Sequence, residues 1–179
     1  MPLPYKSILC PIDFDDSSAR ALREAAALTL HSGGALHILH VVQFNPLTSQ
    51  GAAEGFAAQE MYDEQVAFAR KQAEKMLENL PRGVKHELII EIGEPGDSIV
   101  VAAEKLRADL VVMATHARSG LKRLVMGSVD ERVLRASSTP VLIVPPSLRS
   151  KYKPGCVGRL LENLARRLQS DPSIDSCII

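Results

Sequence analysis

The chain has 179 residues, 46% of them apolar and 23% charged, the balance of a globular domain rather than a disordered segment. Lys plus Arg number 21 and Asp plus Glu number 21, so the net charge is zero; without an overall basic field the sequence argues against nucleic acid as a partner, and any anion site has to be local. No apolar run reaches the ~18–20 residues of a membrane span, the opening MPLPYKSILCPIDF reads as no signal peptide, and Cys10, Cys156 and Cys177 form no CxxC pair; the expected compartment is the reducing cytoplasm.

The first β-rich run is Ser7 to Ile12. Asp15, Asp16 and Ser17 offer N-caps for a helix with Leu22, Ala25, Ala26 and Thr29 on one face, and Gly33 and Gly34 end it. The second run, Ala35 to Val42, is apolar except for His37 and His40, as expected of a strand covered on both faces; a buried, hydrogen-bonded neutral ring is the commoner state of such histidines. Residues 45–58 are turn-rich and read as a surface loop. A long helix follows, with Met61, Phe68, Ala69, Ala73, Met76, Leu77 and Leu80 on one stripe, stopped by Pro81 and Gly83. Then come a strand from Glu87 to Ile92, the turn Gly93-Glu94-Pro95-Gly96, and a short helix capped by Asp97 that presents Ile99, Ala102, Ala103 and Leu106. Asp109 to Thr115 is a fourth strand; Ser128 caps a helix to about Ala136; Pro140 to Val144 is a fifth strand, closed off by Pro145-Pro146.

Strands alternating with helices predict an α/β fold, an open doubly wound sheet of five parallel strands with helices on both faces. Such sheets bind ligands beyond the carboxyl ends of their strands, where the winding reverses. If the first strand is central and the fourth lies beside it, the site falls between Pro11–Asp13 and Met113–Ala117.

Several enzyme signatures are missing. There is no GxxxxGK[ST], no GxGxxG after the first strand, no GxSxG and no HExxH. What stands out is ATHARSGLKRLVMGSV, residues 114–129, a glycine-bearing loop that feeds a helix. Gly127 permits close backbone approach, Ser128 adds a hydroxyl, and the free N–H groups of a helix start favour phosphate. Arg118, Lys122 and Arg123 add local positive charge. An ordinary capped helix with solvated basic residues fits the same segment.

PIDFDDSS at the first strand, LHVV at the second, GEPGDSIVVAAEKLRADLVVMATHARSGL and MGSVDERVLRASSTPVLIV together resemble the universal stress protein family, from about Tyr5 to Pro146. The resemblance implies a five-stranded sheet in the order 3-2-1-4-5, a domain over residues 1–146 that binds ATP or AMP, a homodimer, and a role in stress adaptation or signalling with slow turnover or none. It implies that Pro11 and Ile12 lie beside the base, that Asp13 lies near the ribose and a magnesium ion brought with ATP, and that the backbone of Val41 meets the adenine. Met113 would sit under the base or ribose. Gly127, Ser128 and Val129 would form the phosphate turn, with Ala114, His116, Ala117 and Arg118 in the loop before it. The family's G-x-x-G leading glycines are replaced here by Ala114 and Ala117, although the spacing to Gly127-Ser128 is intact. A left-handed backbone at Ala117 would cost about 1–2 kcal/mol and weaken binding ~10-fold without abolishing it. The alternative is a dimeric interaction module that has lost ATP. The dimer contact is expected along the fifth strand, Val141 to Val144, whose edge is open.

Beyond the resemblance, residues 147–179 form a C-terminal extension. Val157, Leu160, Leu161, Leu164, Ala165 and Leu168 line one face of an amphipathic helix at about 156–169. Docking on the protein's own fold or its dimer partner is the first expectation; a basic helix for a partner protein or an anionic membrane is the second.

Overall fold

The computed structural model describes residues 5–43, 55–115 and 128–145. Among these, five strands and four helices alternate: β1 (Ser7–Pro11), α1 (Asp16–Ser32), β2 (Ala35–Gln43), α2 (Gly55–Leu77), β3 (His86–Gly93), α3 (Pro95–Lys105), β4 (Leu110–Ala114), α4 (Ser128–Ala136) and β5 (Val141–Val144). The strands form one sheet in the order β3-β2-β1-β4-β5, and every pairing is parallel. The expected α/β architecture is the observed one. The C-terminal helix expected at 156–169 lies outside the described residues.

The sheet is central because both of its faces are apolar. One face, with Ile8, Cys10, Leu36, Ile38 and Val112, is covered by Ala21, Leu22, Ala25 and Leu28 of α1 and by Ala73, Met76 and Leu77 of α2. The other, with Leu9, Leu39, Val111 and Met113, is covered by Ile99, Ala102 and Ala103 of α3 and Val133 of α4. Alternating side chains along each strand serve the two layers in turn. Burial of this kind supplies the main driving force, roughly 25 cal/mol per Å² of apolar surface removed from water. Cys10 is fully buried, and desolvation pushes its thiol pKa far up, so it behaves as a small apolar residue.

Local chemistry sets the helix ends. Asp15 is the N-cap of α1, its carboxylate accepting from the Ser18 N–H at 2.6 Å. Gly33 closes α1 in the left-handed conformation at φ 64°. Three expectations need correction. The helix α2 begins at Gly55, inside the stretch read as loop. Asp97 is not the cap of α3: Glu94 holds that position without a side-chain cap bond, Pro95 opens the helix, and Asp97 accepts instead from Arg132 Nε on α4 at 2.6 Å. Phe68 does not join the buried stripe of α2, being 63% exposed; Tyr62, Ala69 and Ala73 take the buried positions. Phe68 lies one residue, about 100° of rotation, from Ala69, enough to turn it off the core-facing stripe.

Candidate functional site

The carboxyl ends of β1, β2 and β4 open into a cleft of about 940 Å³, within the range of small-molecule sites. Its floor comes from Pro11 and Ile12 at the end of β1, Leu39 to Val42 in β2, and Met113 and Ala114 in β4. On one side stand Ile99 of α3 and the first residues of α4, Ser128, Val129 and Asp130; on the other stand Gln65, Phe68 and Ala69 of α2. The cleft straddles β1 and β4, the neighbours whose crossovers run to opposite sides of the sheet, which is the switch point of this topology.

The turn leaving β1 is shaped by contacts that the sequence did not disclose. Ile12 N–H donates to the Leu39 carbonyl at 2.8 Å. His40 Nδ1 lies 2.9 Å from the Ile12 carbonyl, which can only accept, so Nδ1 carries the proton. Phe14 stacks on the His40 ring with centroids 4.1 Å apart and planes at 29°. Phe14 also has φ 68°, a left-handed conformation unusual for a residue with a side chain. The turn is therefore held from β2, and Asp13, exposed between Ile12 and Phe14, is presented at the mouth. The Asp13 carboxylate accepts from the Asp15 N–H at 3.3 Å.

Of the residues expected at the site, Pro11, Ile12, Asp13, Val41, Met113, Ala114, Ser128 and Val129 all line this one cleft. His116, Ala117, Arg118 and Gly127 lie outside the described residues. Ala114 ends β4 opposite Val144 and is absent from the residues with positive φ, so its methyl group adds bulk without backbone strain. Sequence reasoning missed Phe14, Ser18, Gln65, Phe68 and Asp130 as lining residues. For Phe14 a signal existed, its place between Asp13 and the cap Asp15; for Gln65 and Phe68 only the fold brings α2 to the cleft. His40 was read as a buried hydrogen-bonded ring, and it is hydrogen-bonded but only half-buried. His37, also half-buried, pairs with Glu87 Oε2 at 3.2 Å away from the cleft.

Chemically, the cleft joins an apolar end between β2 and α2 to a polar end at the start of α4. The first turn of α4, a helix of nine residues, lines the cleft with Ser128, Val129 and Asp130, and the start of a helix carries N–H groups without intrahelical partners and the positive end of its dipole. Among the described residues no group of three His, Cys, Asp or Glu side chains converges as a metal site, and no helix is long and apolar enough to cross a membrane.

Residues 4–145 match the sequence profile of the universal stress protein family. The chain is 37% identical over 144 residues to universal stress protein MJ0531 of Methanocaldococcus jannaschii, covering 78% of this chain and 82% of that protein. Among solved structures, that of MJ0577 from the same organism superposes with a TM-score of 0.66 at 30% identity, over 81% of this chain and 99% of that one. A universal stress protein solved in complex with cAMP superposes with a TM-score of 0.52 at 27% identity, over 80% and 98% of the two chains.

Proposed function

Because the chain belongs to the universal stress protein family, we propose that its cleft binds an adenine nucleotide, ATP or AMP, and that the protein acts in stress adaptation or signalling with slow turnover at most. The observation that carries this reading is the cleft itself. About 940 Å³ of space at the switch point runs from an apolar end to the start of α4, the pairing of environments that a base and a phosphate chain require. The cAMP complex of a similar protein supports the same ligand class.

In this reading Ser128, Val129 and the α4 N-terminus hold the phosphates, with Gly127 completing the turn and Ala114, His116, Ala117 and Arg118 in the approach to it. Pro11, Ile12, Val41 and Met113 bound the base and ribose. Asp13 suits a magnesium ion that arrives with ATP, since Mg²⁺ commonly takes one or two carboxylates and completes its shell with phosphate oxygens and water. That ion would screen phosphate charge. The protein's own groups would orient the nucleotide, and the reading assigns none of them as base or nucleophile.

Calorimetry with ATP and magnesium tests the reading, with Ser128→Glu as the control. A carboxylate at the start of a helix suits its dipole, so the variant should fold and melt like the parent, yet it places negative charge where the phosphates would sit. We expect affinity to fall by about tenfold or more. An unchanged affinity would move the phosphate site elsewhere, and a parent protein silent to ATP and AMP up to millimolar concentrations would favour the interaction-module alternative.

A further inference from the structure

Phe68 is the most exposed large apolar side chain among the described residues, at 63%, and it lines the cleft rather than an outer surface. Its neighbour Ala69 is 3% exposed and anchors α2 on the core, so the Phe68 position is fixed by packing. Gln65, one turn earlier on the same side of α2, also lines the cleft and is exposed. The other aromatic pair at the cleft, Phe14 and His40, is already stacked face on face. Among the described residues, Phe68 makes no such ring contact.

The order of elements across the cleft gives this ring a partner. From the start of α4 the cleft passes β4, β1 and β2 in turn, and ends at α2. Neighbouring strands lie about 4.8 Å apart, so β4 and β2 are roughly 10 Å apart, comparable to the reach from a terminal phosphate to the far side of the sugar. A nucleotide whose phosphates lie at α4 therefore brings its planar base to β2 and α2. We propose that Phe68 is the stacking platform for that base and that Gln65 reads its polar edge, making α2 the specificity element of the site. The proposal rests on the nucleotide reading above. Stacking suits the geometry, since a flat ring covers exposed aromatic surface that would otherwise face water. An amide supplies both a donor and an acceptor to a base edge.

The chain contains no tryptophan, so Phe68→Trp gives a single fluorescent reporter at the proposed contact. The full chain carrying it is titrated with ATP plus magnesium, with adenosine, and with ribose 5-phosphate. Adenosine and ATP should quench or shift the emission, whereas ribose 5-phosphate, which has no base, should not. In parallel calorimetry Phe68→Ala should weaken ATP at least about fivefold while leaving ribose 5-phosphate binding and the melting temperature unchanged; Gln65→Ala should narrow the preference between ATP and GTP. If Phe68→Ala binds ATP like the parent, or if the tryptophan emission ignores an ATP that calorimetry shows to be bound, the base lies elsewhere and the proposal is wrong while the nucleotide reading stands. If the parent binds neither ATP nor adenosine, both fall together.

Discussion

Phe14 and His40 show how much of the cleft depends on two side chains that sit 26 positions apart in sequence. Phe14 holds φ 68°, and only Arg107, at 47°, shares that sign among the described non-glycine residues. Such a backbone costs on the order of 1–3 kcal/mol and persists only where its surroundings impose it. Here the stack on His40 and the bond from His40 to the Ile12 carbonyl supply the constraint. Replacing His40 with leucine removes the donor and the ring partner together, so urea unfolding should show a loss of about 1–3 kcal/mol. His40→Asn, whose amide N–H can reach a carbonyl from a similar place, should recover part of it. Equal stability in all three proteins would show that the turn is held by other means. The place of Asp13 and Ser128 at the cleft was legible in the sequence, because one follows a strand and the other opens a helix on the side where such sheets bind ligands. The Phe14–His40 contact was not, since it depends on the sign of one dihedral angle.

Among the elements, the helix ends show where local sequence suffices and where it does not. The end of α1 was legible because two consecutive glycines follow the last apolar position, and both are needed. Gly33 takes a left-handed φ of 64°, whereas a methyl group on Gly34 would approach the Tyr5 and Lys6 carbonyl oxygens to 2.5 and 2.7 Å. Those are backbone atoms of the residues leading into β1 and cannot swing aside as a flexible side chain can. Gly34→Ala should therefore lower the stability by about 1–3 kcal/mol, with a matching fall in the denaturant midpoint; a neutral substitution would mean that the β1–β2 register adjusts. The start of α3 was misread because Asp97 looks like a cap in isolation. The fold gives it Arg132 of α4 as a partner, both side chains more than half exposed, so the pair contributes at most about 1 kcal/mol. The stripe of α2 was misread for a related reason. Helical period identified the buried Ala69 and Ala73, but Phe68 faces a cleft that exists only once β1, β2 and β4 are assembled beside it.

At the scale of the whole molecule, the parallel sheet and its helical layers followed from alternation, because parallel strands need helical crossovers, whereas the order of the strands did not, since the same alternation fits more than one doubly wound order. What lay beyond reach was the depth and volume of the cleft, which arise from how far each strand runs before its helix begins. The sheet ends in two edges, β3 and β5, and β5 offers four residues, Val141–Val144, in a row of backbone groups suited to a second copy. Sedimentation of the full chain should give a dimer, and Ile143→Asp should shift it toward monomer; a monomeric parent at micromolar concentration would contradict the pairing. The proposed binding of a nucleotide in the cleft is tested most directly by a two-dimensional amide NMR spectrum of the full chain titrated with ATP and magnesium. Signals of Ile12, Asp13, Val41, Ala114 and Val129 should move together and saturate, while those on the outer faces of α1 and α3 stay in place. Saturating shifts confined to residues away from the ends of β1, β2 and β4, or none at millimolar ATP, would contradict it.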